Sequence, residues 1–193
     1  MIFSRKEFSQ KTTTARSPMN SISQSLEIIL AHERGKRRAL VKLSESYQSD
    51  MGAFSIFSGN RLPYFELYWK EKNRFPFLIQ YKGEPIGFAL VNAIGVLPAS
   101  DWNMAEFFIA KAYRRRNFGK RAAKRIIDTF PGTWEIAVIP ENKQALSFWK
   151  NVIETHFPKK TSKPIIKIVQ NPKPHPMKIF QITRTPLCSK SLA

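Results

Sequence analysis

A basic turn between an apolar strand and a helix holds the residues best suited to bind an anion. Residues 105–110 are apolar and β-rich, residues 113–119 form the turn, and a helix is predicted over residues 120–130. Backbone N–H groups at the start of a helix have no partner within it, and the helix dipole favours negative charge there. The stretch therefore predicts a phosphate-binding turn.

The charges around this turn favour the same interpretation. Between residues 111 and 125, eight of fifteen residues are Lys or Arg and none is acidic. Lys120, Arg121, Lys124 and Arg125 lie in the first two turns of the predicted helix, where positive charge opposes the dipole. A bound polyphosphate would relieve this repulsion. The alternative is that the long side chains extend into water, and for the cluster as a whole we favour the anion.

Glu106 is the candidate catalytic residue of the same stretch. It lies in the predicted strand with apolar neighbours on both sides. A carboxyl group in apolar surroundings has a raised pKa and can act as a general base. The alternative is a solvated or ion-paired glutamate at the start of the strand.

Hydrophobic patterns elsewhere predict the elements that position these residues. A strand at 25–31 precedes an amphipathic helix at 33–49, in which Leu40, Leu43 and Tyr47 share one face. A second amphipathic helix begins after Pro140, and further strands are predicted at 75–81, 85–93, 133–139, 164–170 and 177–183. Residues 82–84 join two of these strands as a hairpin, and the proline-rich residues 171–176 predict an antiparallel pair with a long turn. Residues 65–70 fit either a short helix or a strand.

This order of elements predicts an α/β protein. We expect a mixed, mostly antiparallel central sheet of six to seven strands, flanked by about four helices. The length of 193 residues fits one domain, at residues 25–185. Residues 1–24, rich in Ser, Thr, Lys and Arg, predict a disordered basic tail, with a transit peptide as the less favoured alternative. Residues 186–193 predict a frayed C-terminus.

The strong positive charge predicts an anionic partner. Lys and Arg number 32 against 14 Asp and Glu, a net charge of +18, which suits nucleic acid, a phosphorylated cofactor, an acidic protein or an anionic membrane surface. No apolar run is long enough to span a bilayer. The single cysteine, Cys188, allows no intramolecular disulfide, and the histidines lack metal-site spacing. We therefore expect a cytoplasmic protein without a metal.

The element order and two motifs resemble the GNAT superfamily of acyl-CoA-dependent N-acyltransferases, from about Leu26 to Thr183. The family signature Arg/Gln-x-x-Gly-x-Gly/Ala follows the fourth strand and matches residues 114–119, except that Asn117 stands where the family usually has Gly. Because Asn tolerates a left-handed backbone, the turn can still form. A second feature, Asn-x-x-Ala-x-x followed by two aromatic residues, matches residues 142–149.

The resemblance implies acetyl-CoA as the co-substrate and transfer of an acetyl group to a primary amine by direct attack in a ternary complex. Cys188 lies outside the motifs, so no acyl-enzyme is expected. Glu106 would be the general base. The residues expected to bind the cofactor are Phe108, Ile109 and Ala110 through their main chain, then Arg114, Arg115, Arg116, Asn117, Phe118, Gly119 and Lys120 in the turn, and Asn142.

Trp149 stands where the family usually has the Tyr that protonates the departing thiolate. Solvent or another tyrosine, such as Tyr64 or Tyr68, would then supply the proton, or activity would be weak. Asn142 could instead be a helix N-cap, and Tyr113 and Trp134 are most simply core.

Two alternative functions stay open: a nucleic-acid-binding protein, and a CoA-binding protein without turnover, both on the same scaffold. No motif in the sequence identifies the acceptor. The basic surface weakly favours an acidic or phosphorylated amine.

Overall fold

The computed structural model describes residues 26–54, 62, 64–158, 161–170 and 174–184. The predicted tail at 1–24, the C-terminal residues 186–193 and Cys188 lie outside the described residues, so those predictions stay untested. None of the described helices is both long and apolar enough to cross a membrane.

Seven strands and three α-helices make up the described part of the chain, which confirms the α/β class. The strands are β1 (Leu26–Leu30), β2 (Arg74–Tyr81), β3 (Glu84–Asn92), β4 (Trp102–Ile109), β5 (Gly132–Val138), β6 (Ile165–Gln170) and β7 (Pro174–Arg184). The helices are α1 (Arg34–Met51), α2 (Phe118–Thr129) and α3 (Lys143–His156). About four helices were predicted; Phe65–Trp69 forms a short 3-10 helix instead of a fourth α-helix.

All seven strands form one sheet in the order β1-β2-β3-β4-β5-β7-β6. Every pairing is antiparallel except β4 with β5, which is parallel and confined to Trp102↔Trp134 and Asn103↔Glu135. Beyond these two pairs β4 continues along β3, up to Ile109↔Gly87, but it leaves β5. The sheet therefore opens between β4 and β5, at the position of Glu106.

The helices cover both faces of this sheet. Helices α2 and α3 pack on one face, where Trp134, Ile126 and Val152 are fully buried. Helix α1 and the short 3-10 helix pack on the other face, around Leu40 and Phe88. Alternate residues of β2 and β3 enter the two cores, as expected for strands buried on both sides.

Several predicted boundaries differ from the structure. Strand β4 begins at Trp102 rather than 105, and α2 begins at Phe118 rather than 120. The predicted long turn at 171–176 is wrong, because β7 starts at Pro174 and includes Pro176. Both prolines pair with β6 only, since β5 joins β7 from Lys178 onward. Proline is tolerated at such a strand start because no neighbour on the other side needs its missing N–H.

Candidate active site

The opening of the sheet holds two adjoining clefts. The first, here called the Glu106 cleft, has a volume of about 540 Å³ and is lined by Glu106, Tyr68 and Arg74 among others. The second, the Gly119 cleft, has about 830 Å³ and is lined by Gly119, Lys120 and Arg115 among others. Among the described residues, six line both clefts: Tyr47, Met51, Phe107, Asn142, Ala145 and Trp149. These six residues form the junction, which is the boundary that the two clefts share.

The basic turn forms the wall of the Gly119 cleft. Asn117 adopts a left-handed backbone with φ of 60°, as its tolerance for that conformation predicts, and Arg115 does so with φ of 59°. The first backbone bond of α2 runs from the Arg121 N–H to the Asn117 carbonyl at 3.1 Å. The N–H groups of the three residues before Arg121 therefore precede the helical ladder. The side chain of Asn117 does not cap them.

Gly119 is required by packing as well as by the turn. A Cβ at this position would lie 3.1 Å from the Phe148 ring and 3.5 Å from the Ile109 side chain. The Phe148 ring in turn stacks on Phe107, with centroids 5.5 Å apart. The absence of a side chain thus brings α2 close to both α3 and β4.

Several basic side chains of the predicted anion site have other partners. Lys124 pairs with Asp128, and Arg125 donates to the Leu26 carbonyl at 2.6 Å. The Arg116 guanidinium lies over the Phe118 ring, 5.4 Å from its centroid. Arg115 and Lys120 line the cleft, together with Lys111, Arg114 and Lys143.

Arg114 connects the turn to α1. Its Nε donates to the Ile109 carbonyl at 2.7 Å, and its Nη2 donates to Asp50 at 2.5 Å. Asp50 also pairs with Lys111 at 2.8 Å. Burial alone would raise the pKa of Asp50, but the hydrogen bonds and charges of Lys111 and Arg114 outweigh it and lower the pKa. Sequence reasoning did not find Asp50, and it placed Arg114 only against the cofactor.

The main chain at the end of β4 borders the Gly119 cleft, where Phe108 and Ile109 are among the lining residues. The Ile109 carbonyl accepts from Arg114, and the Ala110 N–H donates to the Ile86 carbonyl at 2.9 Å. Ala110 follows β4 and, unlike Phe108 and Ile109, does not line the cleft.

Glu106 lies in the middle of β4 and is half-buried. The Tyr47 hydroxyl donates to its Oε2 at 2.5 Å. Burial raises the pKa of Glu106 to about 7, although the hydrogen bond from Tyr47 lowers it. Because β4 begins four residues earlier, the alternative of a glutamate at the start of a strand does not apply. A carboxyl group with this pKa can take up or release a proton near neutral pH.

Tyr47 is the site residue that sequence reasoning missed. Its helical spacing with Leu40 predicted a core position, and its ring does pack against Phe88 and Phe108, each with centroids 5.7 Å apart. Burial, followed by the charge of Glu106, raises the pKa of Tyr47 well above its usual value. The sequence did contain a signal for this contact, namely the hydroxyl group of a tyrosine on an apolar helix face. A buried tyrosine hydroxyl usually requires a hydrogen-bond partner.

Helix α3 contributes Asn142 and Trp149 to the junction of the clefts. The Asn142 Oδ1 accepts from the Ala145 N–H at 3.0 Å, so this side chain is the N-cap of α3 as well as a lining residue. Trp149 is buried and meets the Phe107 ring edge-on, with centroids 5.3 Å apart. This is the position at which the resemblance described above implies a tyrosine.

The two tyrosines suggested as proton donors line the Glu106 cleft. Tyr68 is buried, and its hydroxyl accepts from Asn92 Nδ2 at 2.8 Å. Burial raises the pKa of Tyr68 to about 12. Tyr64 is 59% exposed. Neither lines the Gly119 cleft.

The remaining predictions concern core residues and metal ligands. Trp134 is fully buried, and Tyr113 is half-buried beside Phe118. Within residues 26–184, leaving aside the undescribed gaps, no three His, Cys, Asp or Glu residues form a group that could hold a metal ion.

Residues 40–152, more than half of the chain, match the model of the Acetyltransferase (GNAT) family. The chain belongs to the GNAT acetyltransferase family. The parallel β4–β5 pair that opens beside a basic turn is thus the candidate active site of a GNAT protein.

Solved structures share the GNAT fold at low sequence identity. A chimera of the spermidine N-acetyltransferase SpeG from Vibrio cholerae and hSSAT is 17% identical, with a TM-score of 0.57 over 83% of this chain and 96% of that chain. An N-acetyltransferase from Staphylococcus aureus Mu50 is 11% identical, with a TM-score of 0.58 over 82% and 98%. The ribosomal-protein-S18-alanine N-acetyltransferase from Escherichia coli is 11% identical, with a TM-score of 0.55 over 88% and 99%. No curated protein matches the sequence.

Proposed function

We propose that this GNAT protein transfers the acetyl group of acetyl-CoA to a primary amine by direct attack in a ternary complex, with Glu106 as the general base. The observation that carries the proposal is the position of Glu106, a carboxyl with a pKa of about 7 beside the junction of the two clefts. A base must lie near the point where the two substrates meet, and its pKa must be close to the working pH.

The Gly119 cleft fits acetyl-CoA. Its wall offers the N–H groups at the start of α2 and the side chains of Arg115 and Lys120, which suit a pyrophosphate. The β4 main chain at Phe108 and Ile109 borders the same cleft and can accommodate the pantetheine arm. When bound there, acetyl-CoA would supply an acetyl group activated as a thioester.

The Glu106 cleft then takes the acceptor. Two of the structural neighbours are named as acetyltransferases of spermidine and of an alanine, and both of these acceptors carry an amine. Only a neutral amine can attack a thioester, and its nitrogen must lose one proton to become an amide, so the carboxylate of Glu106 takes that proton as the N–C bond forms. Aromatic side chains, including Tyr64 and Tyr68, line this cleft and can pack on the acceptor's carbon skeleton.

This role predicts how the rate depends on pH. Glu106 acts as a base only when ionised, so the turnover rate should rise with pH through the pKa of about 7 and level off above it. Thiol release from acetyl-CoA tests this pH dependence, with a panel of amines, peptides and aminoglycosides as acceptors. The rate is measured from pH 5.5 to pH 9, a range of about two units on either side of the pKa.

The Glu106→Gln variant tests the base directly. We expect its turnover rate to fall by about 10²- to 10⁴-fold, with acetyl-CoA still bound in isothermal titration calorimetry. Glu84→Gln, on the exposed start of β3, removes the same charge away from both clefts and serves as the matched control. Absence of acetyl-CoA binding to the wild-type protein at millimolar cofactor would contradict the cofactor assignment, and full activity of Glu106→Gln would contradict the base.

A further inference from the structure

Tyr47 lies at the junction of the two clefts. Of the six described residues that line both clefts, Tyr47 is the one that carries a hydroxyl group. The Asn142 amide is engaged in capping α3, and Trp149 replaces the tyrosine that the family usually has at its position. An acid at the junction borders both the Glu106 cleft, proposed for the acceptor amine, and the Gly119 cleft, proposed for acetyl-CoA.

The surroundings hold this hydroxyl in one place. Tyr47 is buried on the last turns of α1, with its ring fixed edge-on between Phe88 and Phe108. Its oxygen is 2.5 Å from Glu106 Oε2, which is the group that takes the acceptor's proton in the proposed reaction. Acid and base are therefore in direct contact.

On the basis of the proposed acetyl transfer, we infer that Tyr47 is the general acid of this protein and that Glu106 returns the proton to it. Glu106 removes a proton from the acceptor nitrogen as the N–C bond forms. The protonated carboxyl then donates to the Tyr47 oxygen, so the hydrogen bond between the two side chains reverses its direction.

The reversal frees the Tyr47 proton for the sulfur. Tyr47 gives this proton to the sulfur as the C–S bond breaks, and the proton held by Glu106 passes to the Tyr47 oxygen. At the end the products are an amide and a free thiol, Glu106 is again a carboxylate and Tyr47 is again a neutral phenol. The proton taken from the nitrogen has thus balanced the proton given to the sulfur, and no further reactant is needed.

The other tyrosines of the site are placed less well for this role. Tyr64 and Tyr68 line the Glu106 cleft but not the Gly119 cleft, and the Tyr68 hydroxyl is bonded to Asn92. The raised pKa of Tyr47 keeps its proton in place at neutral pH until the sulfur needs it. This agrees with an acid that acts only after Glu106 has been protonated.

The Tyr47→Phe variant removes the hydroxyl and keeps the ring that packs against Phe88 and Phe108. We expect the turnover rate to fall by about 10²-fold or more, while the dissociation constant for acetyl-CoA in calorimetry stays unchanged. Tyr81→Phe is the matched control, since the Tyr81 ring packs at a tilt against Phe118 and lines neither cleft. The control should keep the wild-type rate.

A second readout does not depend on turnover. In protein labelled with ¹³C at the glutamate carboxyl carbons, with the Glu106 signal assigned from Glu106→Gln, NMR should show Glu106 titrating at about 7. In Tyr47→Phe the pKa of Glu106 should rise further, because the hydrogen bond from Tyr47 lowers it. A pKa of Glu106 that is the same in the wild-type protein and in Tyr47→Phe would show that the pair does not form.

The outcomes separate this inference from the proposed transfer. If Glu106→Gln loses its rate and Tyr47→Phe keeps it, the transfer stands and Tyr47 is not the acid. If Tyr47→Phe loses acetyl-CoA binding together with its rate, the hydroxyl is structural and the inference is wrong. If the wild-type protein releases no thiol with any acceptor, the transfer itself fails and the proton route fails with it.

Discussion

At the scale of single residues, Gly119 combines a packing role with a binding role. It is the second residue of α2, where a side chain would meet the Phe148 ring at 3.1 Å. Gly35 is likewise the second residue of α1, but nothing lies within 4 Å of the place where its Cβ would be. The two glycines thus form a natural pair for comparing the same substitution with and without a neighbour.

We expect Gly35→Ala to stabilise the protein by about 0.5–1 kcal/mol, because alanine loses less backbone entropy in a helix. Gly119→Ala should forfeit this gain, since the Phe148 ring must move, and it should weaken acetyl-CoA binding by disturbing the start of α2. Thermal melts and calorimetry with acetyl-CoA measure the two effects. Equal stabilisation by both substitutions, with unchanged cofactor affinity, would contradict the packing argument.

The same scale shows what could be predicted from the sequence. Asn117 could be assigned a left-handed turn because the argument needs only its own side chain and its place before a helix. The Tyr47–Glu106 contact joins residues 59 apart, and the Arg114–Asp50 contact joins residues 64 apart. Periodicity reports which face of an element a residue lies on, but not which distant side chain meets it. These two contacts therefore became visible only in the folded chain.

At the scale of elements, Asp50 joins the end of α1 to the basic turn. Its carboxylate accepts from Arg114 and pairs with Lys111, while Arg114 also holds the Ile109 carbonyl at the end of β4. Three elements that surround the Gly119 cleft, namely α1, β4 and the turn, thus meet at one carboxylate. The antiparallel pairs β2–β3 and β6–β7 could be predicted from local patterns, whereas this connection depends on the assembly of the elements.

We expect Asp50→Asn to destabilise the protein by about 1–3 kcal/mol, because it leaves partly buried hydrogen-bond donors without a charged acceptor. Glu154→Gln is the matched control, since Glu154 pairs with Lys150 at 3.8 Å with both side chains well exposed. Such a surface pair contributes less than about 1 kcal/mol. Urea titrations of both variants measure the difference. A loss no larger for Asp50→Asn than for the control would show that the connection is not structural.

The pH dependence of the Asp50 contribution has a definite sign. The pKa of Asp50 is lowered in the folded chain, so the unfolded chain binds the proton more readily. The stability contribution is present above the unfolded pKa and is lost as the pH falls through the folded pKa. The difference between wild-type protein and Asp50→Asn should therefore shrink in acid, below the ordinary aspartate pKa of 3.8.

At the scale of the whole molecule, the excess of positive charge is larger than the described site requires. The chain has 18 more basic than acidic residues, whereas the described basic residues that line the Gly119 cleft are five: Lys111, Arg114, Arg115, Lys120 and Lys143. A surface of one sign attracts polyanions whatever their sequence. The alternative that the scaffold binds nucleic acid can thus be tested separately from acetyl transfer.

If nucleic acid binds to this positive charge, a fluorescent single-stranded RNA should bind at low salt and lose affinity as salt is added. With about four phosphates neutralised, the affinity should fall roughly 50-fold between about 50 and 200 mM salt. Fluorescence anisotropy measures this, and saturating acetyl-CoA should leave the binding unchanged if the RNA contacts surface outside the Gly119 cleft. Displacement by acetyl-CoA would instead place the RNA phosphates in that cleft. Absence of binding at the lowest salt would contradict the nucleic-acid function, because an attraction that depends on charge is strongest there.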